Sequence, residues 1–153
     1  MLRNIYKIHF GMMMIIVSKT HFSEIKLQSI AAYPYECCGA MLGKVLDNGS
    51  KEVLSCFDIV NQSDEDKRRR FKITADDYRF LEAKADELGM TLLGFYHSHP
   101  DHPAIPSETD LEYAWPFFSY IIQAVYDGEP TDFKSFELSL DTHVFVDETL
   151  VIR

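Results

Sequence analysis

The sequence predicts a mixed α/β fold with α+β layering, in which a central, mostly antiparallel sheet is flanked by helices. Short apolar runs bounded by turn residues follow one another, a few helical segments interrupt them, and 153 residues make one ordinary domain. Met12 to Val17 is a short apolar run that flows into "SKTHFSEI" and reads as a first strand. Lys19 to Ala32 follows as a helix with loosely periodic apolar positions (Phe22, Ile25, Leu27, Ile30), ended by Tyr33-Pro34. "CGAMLGKVL" and "KEVLSCFDIV" form a hairpin, because Asn48-Gly49 between them readily takes positive φ.

Asn61 to Arg70 is polar and aperiodic, which reads as an exposed loop before a short strand at Phe71 to Ile73. The next helix carries the strongest signals. Thr74 caps it with Asp77 three residues on, Tyr78, Leu81, Ala85 and Leu88 share one face, and Gly89 stops it. "MTLLGFYHSH" is a mostly apolar strand, and a short helix runs from Glu108 to Trp115 until Pro116 halts it. "SYIIQAVY", "DFKSFELSL" and "HVFVD" give three more strands, with Asp127-Gly128 as a turn. Three consecutive methionines, Met12 to Met14, leave open a later translation start. Residues 1–13 are therefore read as an ill-ordered extension ahead of a single domain at 14–153.

A net charge of −9 argues against sequence-independent nucleic-acid binding, which needs clustered Lys and Arg. The one basic run, Lys67 to Arg70, follows Asp64, Glu65 and Asp66 and reads as a solvated loop. No segment is long enough to span a membrane, and the apolar start lacks a small-residue cleavage site. Three cysteines, with Cys37 and Cys38 adjacent, make a poor disulfide framework and point to the reducing cytoplasm.

The chemistry concentrates in "GFYHSHPDHPAIPSETD", Gly94 to Asp110. Alternate strand residues face one way, so His97 and His99 can aim two imidazoles at one point, with Asp110 as a third ligand and water as a fourth. Two ordinary readings stand beside this one. An isolated H-x-H is also a polar strand end, and Ser107 with Asp110 is also a helix N-cap, a role compatible with chemistry. His102 sits in a proline-rich loop and reads as a surface residue, while His9, His21 and His143 lack a partner at metal spacing. Cys37 and Cys38 read as small buried packing residues. Glu36 is a charged residue directly before an apolar strand, a weak signal by itself.

Glu36 in "PYECCGAMLG", followed by His-Ser-His-Pro, a serine eight residues after the second histidine and an aspartate three after the serine, resembles the JAMM (MPN+) metalloprotease family. The resemblance spans about Met14 to Ile152 and is strongest to the family's short, single-domain bacterial branch. It implies a JAB/MPN-like fold of cytidine-deaminase-like architecture and one zinc per chain held by His97, His99 and Asp110. It also implies Glu36 as general acid/base and Ser107 as the hydrogen-bond donor to the oxyanion. The implied substrate is the peptide or isopeptide bond after the C-terminal glycine of a ubiquitin-like protein, including a sulfur-carrier protein with a C-terminal cysteine adduct. The loop from Asn61 to Arg70 is the expected partner surface, and an extended substrate tail is expected to add beside the sheet. The family also contains scaffolds that lost their metal ligands, and a zinc amidohydrolase acting on small amides is a second rival.

Overall fold

The computed structural model describes residues 14–59 and 73–153. Along these residues run strand β1 (Met14–Val17), helix α1 (Lys19–Ala32), strands β2 (Cys38–Val45) and β3 (Lys51–Ile59), and helix α2 (Ala75–Leu88). Strand β4 (Thr91–Pro100), helix α3 (Glu108–Glu112) and strands β5 (Ser119–Tyr126), β6 (Glu129–Leu138) and β7 (Phe145–Ile152) complete it. The expected extension at 1–13, His9, the loop from Asn61 to Arg70 and its basic run lie outside the described residues. Ile73, at the end of the strand expected from Phe71, is irregular and leads into the α2 cap.

The strands form one mixed sheet in the order β1-β3-β2-β4-β5-β6-β7, closed into a ring by β7 pairing back to β1. The central pairs β2/β3, β2/β4, β5/β6 and β6/β7 are antiparallel, whereas β1/β3, β1/β7 and β4/β5 are parallel. Ring closure explains why β7 runs well past the expected "HVFVD". Its second half, Thr149 to Ile152, supplies the edge on which Met14 to Val17 pair. Closure gives every described strand two neighbours, so among the described residues a tail added beside the sheet, as the sequence suggested, would pair along a stretch that outruns its neighbour, such as β3 beyond Glu52.

Helices cover both faces. Under α1 lie Ile15, Val17, Met41, Leu93, Tyr96 and Ile121; under α2 lie Cys38, Ala40, Leu42, Leu92, Phe95 and Tyr120. Leu92 and Phe95 share a face although three residues apart, because the β2/β4 register shifts between Met41 and Leu42 and leaves Leu93 extra on β4. Gly94 makes the bulge possible: its φ is 154°, and a Cβ there would meet the Ser119 carbonyl oxygen of β5 at 1.9 Å. Beyond the bulge, strict alternation puts Phe95, His97 and His99 on the α2 face.

Local chemistry explains the boundaries. Thr74 and Asp77 form a full capping box on α2, and Gly89 ends it in the left-handed region. Leu81 and Ala85 are buried as expected and Tyr78 packs against the same cluster, but Leu88, in the last turn, is exposed. On α1, Leu27 is likewise exposed, while Ile25 and Ser29 face the core. Asp127 and Gly128 both take positive φ, 50° and 79°, as a two-residue hairpin turn requires. Between β2 and β3 only Gly49 does so (φ 86°), closing a turn from Leu46 inside a longer loop. Helix α3 stops at Glu112, short of the expected Trp115, because the Trp115 N–H turns away to donate to the Tyr120 hydroxyl at 2.7 Å.

One polar cluster ties four strands together. Lys51, 8% exposed, donates to Phe117 O (2.7 Å), Ser119 Oγ (2.8 Å) and Glu137 Oε1 (2.6 Å), with Glu148 Oε2 at 3.9 Å. Ser119 and Ser135 hydroxyls donate to the two Glu148 oxygens at 3.0 and 2.7 Å. Burial pushes the Glu148 carboxyl up to about 7; Lys51 opposes that and neighbouring Glu137 adds to it. A carboxyl raised above its ordinary 4.5 on folding contributes stability that is complete below that value and lost as pH rises through about 7. The unfolding free energy of wild type relative to that of Glu148→Gln, followed by urea titration, should therefore fall as pH rises from 4.5 to above 7. Parallel stability curves across that window would show that Glu148 titrates as an ordinary carboxyl.

Candidate active site

The β2/β4 register builds the site. Cys38 pairs with His97, the Ser98 N–H donates to Cys37 O at 3.1 Å, and the Cys37 N–H donates to Ser98 Oγ at 2.9 Å. Glu36 lies two residues before Cys38, just outside the paired stretch. Residues opposed in an antiparallel pair share a face, so His97 and, two residues on, His99 fall on the side of the sheet that Cys38 faces. Glu36, His97 and His99 are all buried, Glu36 to 5% exposure.

The third wall comes from the loop after β4. Ala104 packs beneath it against Ile122, Ala124 and Phe136, and the chain then turns into α3 with Ser107 as N-cap. Ser107 Oγ accepts the Asp110 N–H at 3.0 Å, and Asp110 Oδ2 accepts the Ser107 N–H at 2.8 Å. The capping reading is therefore correct, and the cap itself aims the carboxylate at the histidines. Asp110 Oδ2 lies 3.3 Å from His97 Nε2 and 3.2 Å from His99 Nε2, and the two Nε2 atoms are 3.0 Å apart.

His99 Nδ1 is 2.8 Å from Pro103 O, a carbonyl oxygen that can only accept, so Nδ1 donates its proton there and Nε2 is the nitrogen that faces the cluster. Complete burial lowers the His97 pKa, against the pull of Asp110, which favours a neutral imidazole. Burial raises the Asp110 carboxyl, but the adjoining imidazoles, His97 first and then His99, outweigh it and hold the group well below the usual carboxylate range. Two imidazole nitrogens and one carboxylate oxygen form a donor set for a borderline divalent ion. A tetrahedral ion with such ligands at about 2.0–2.2 Å would set them about 3.3–3.6 Å apart, a few tenths of an ångström wider than the 3.0–3.3 Å here.

Other residues sort as follows. His102 is exposed in the loop, and His143 is exposed near β7. Cys37 and Cys38 are buried, free thiols whose pKa values burial raises; Cys37 Sγ lies 3.4 Å from Ser29 Oγ. They are packing residues, as the sequence suggests. His21 corrects the sequence reading, since it lies beside Glu24 and Cys56 within metal-ligand reach. The helical spacing of His21 and Glu24 is visible in sequence, but Cys56 joins them only through the fold. No helix among the described residues is long and apolar enough to cross a membrane.

Desampylase from Haloferax volcanii is 31% identical over 90 residues, which is 58% of this chain and 62%, under two thirds, of that protein. A solution structure of a Desulfitobacterium hafniense protein superposes with a TM-score of 0.77 at 25% identity, covering 91% of this chain and 92% of that one. A Salinibacter ruber protein superposes at 0.69 with 40% identity, covering 90% of each chain. A JAB1/MPN domain protein from Archaeoglobus fulgidus, 20% identical with a TM-score of 0.53 and coverage of 90% and 96%, shares the fold. Residues 18–139 match the family model described as prokaryotic homologs of the JAB domain, and the chain belongs to that family.

Proposed function

We propose that this protein is a zinc-dependent metallopeptidase that hydrolyses the peptide or isopeptide bond after the C-terminal glycine of a ubiquitin-like partner, for example releasing a C-terminal cysteine adduct, with 14–153 as its one catalytic domain. The convergence of His97 Nε2, His99 Nε2 and Asp110 Oδ2 within 3.0–3.3 Å of one another carries the reading. The likeness to desampylase supports it. In this reading those three residues hold the ion. Zinc there supplies a lowered water pKa, toward about 7, and a pull on the scissile carbonyl.

In this reading Glu36, buried just before β2, is the proton carrier. Its carboxylate takes a proton from the attacking water and delivers it to the leaving amine, a transfer in which the protein's own group changes charge once and returns. Ser107 Oγ is already oriented by the Asp110 N–H it accepts, which leaves its own hydroxyl proton to donate to the oxyanion. Pro103 O and the Ser107 N–H orient His99 and Asp110 from behind. Glycine at the cleaved position lets a tail's backbone come close to these groups, where a side chain would collide.

The direct test is incubation of the zinc-loaded protein with a ubiquitin-like carrier extended by one cysteine after its terminal glycine, read by mass spectrometry. Cleavage after the glycine, stopped by chelator and restored by zinc, is the expected result. No cleavage of any such carrier by a zinc-loaded protein would leave the scaffold reading, and equal kcat/KM on a free tail peptide would favour a small-amide hydrolase. Glu36→Gln should keep its metal and lose cleavage; wild-type turnover would dismiss Glu36 as the base. Asp110→Ala should lose the metal by elemental analysis, whereas retention of a full equivalent in this site would remove Asp110 from the ligand set. Ser107→Ala should slow turnover about 10²- to 10³-fold with the fold intact, and an unchanged rate would leave Ser107 as a cap alone.

A further inference from the structure

We propose a second divalent-ion site, made by His21 and Glu24 of α1 with Cys56 of β3, on the face of the sheet opposite His97 and His99. The ligand atoms of these three side chains lie within 4.8 Å of one another, and His21 Nδ1 is 3.0 Å from Glu24 Oε2.

The fold brings them together for local reasons. Ser18 caps α1 by accepting the His21 N–H at 3.1 Å, which sets the first turn, and spacing of three puts Glu24 beside His21 on the helix surface. Cys56 pairs with Met41 of β2 and packs in the cluster under α1, so its thiol faces that turn. A histidine and glutamate three apart on a helix are, by themselves, an ordinary exposed contact of little energetic weight. The thiol added from another element changes the chemistry: imidazole nitrogen, thiolate sulfur and carboxylate oxygen together suit zinc-class ions and exclude magnesium or calcium, which prefer oxygen alone.

Access and adjustment are both available. The Glu24 side chain is 55% exposed and that of His21 20%, so an ion enters from solvent and both groups can close on it. Water completes the fourth position. Binding must displace a proton, because burial, and then Glu24, push the Cys56 thiol up to about 12. The ion would staple the first turn of α1 to β3 and stabilise the native chain by mass action.

Cobalt(II) is the probe that separates the two sites. The His97–His99–Asp110 group contains no sulfur, so a thiolate-to-cobalt charge-transfer band in the near ultraviolet reports the second site only. In Asp110→Ala, titration with cobalt(II) should give one equivalent bound with that band. Cys56→Ser should abolish it, and His21→Asn or Glu24→Gln should weaken binding by about tenfold or more. Wild-type protein should show the same band, so the result does not depend on how well Asp110→Ala folds. Absence of the band at saturating cobalt in wild type, or its survival in Cys56→Ser, would overturn the proposal.

Discussion

The register of β2 against β4 is the constraint on which the site depends. Cys38 opposite His97 fixes the histidines relative to the strand that Glu36 leads into, and the Cys37–Ser98 bonds hold that alignment at the point where the strands part. A slip of one residue would send both imidazoles to the other face, under α1. The bulge at Leu93 and the close approach at Gly94 set the alternation that leaves Phe95 in the apolar layer and His97 and His99 just beyond it. The apolar core and the polar cluster are thus successive stretches of one strand face.

The cluster is polar, buried and tightly spaced, which is costly unless each group is satisfied. Asp110 solves two problems with one oxygen. Its Oδ2 closes the α3 capping box on the Ser107 N–H and also faces both imidazoles. Pro103 fixes a proton of His99 on the outer nitrogen, so its inner nitrogen is the one turned toward His97 and the carboxylate. Such an arrangement has the composition of a ligand set. A short five-residue helix is accordingly held by the same contacts that shape the site.

Much of this was legible in sequence because it is local. The α2 cap at Thr74 and stop at Gly89, the Asp127-Gly128 turn, and the His-Ser-His alternation each depend on residues within a few positions of one another. The Ser107–Asp110 cap was legible too, and its coincidence with the histidines became visible through the motif as a whole. Non-local features were hidden. Nothing near Lys51 announces a lysine buried among Glu137, Glu148 and Ser119, because its partners come from β5, β6 and β7. Ring closure through β1 and β7 joins the two ends of the described chain, and Cys56 meets His21 only once α1 lies over β3. Amphipathic patterning also overreached at Leu27 and Leu88, where an apolar residue faces solvent near a helix's edge.

The central claim is that His97, His99 and Asp110 hold a zinc ion. It is tested most directly by anomalous diffraction at the zinc absorption edge from crystals grown with zinc. A peak bounded by His97 Nε2, His99 Nε2 and Asp110 Oδ2 is the predicted result. Well-ordered side chains at all three positions with no peak among them, in crystals whose solvent holds ample zinc, would contradict it.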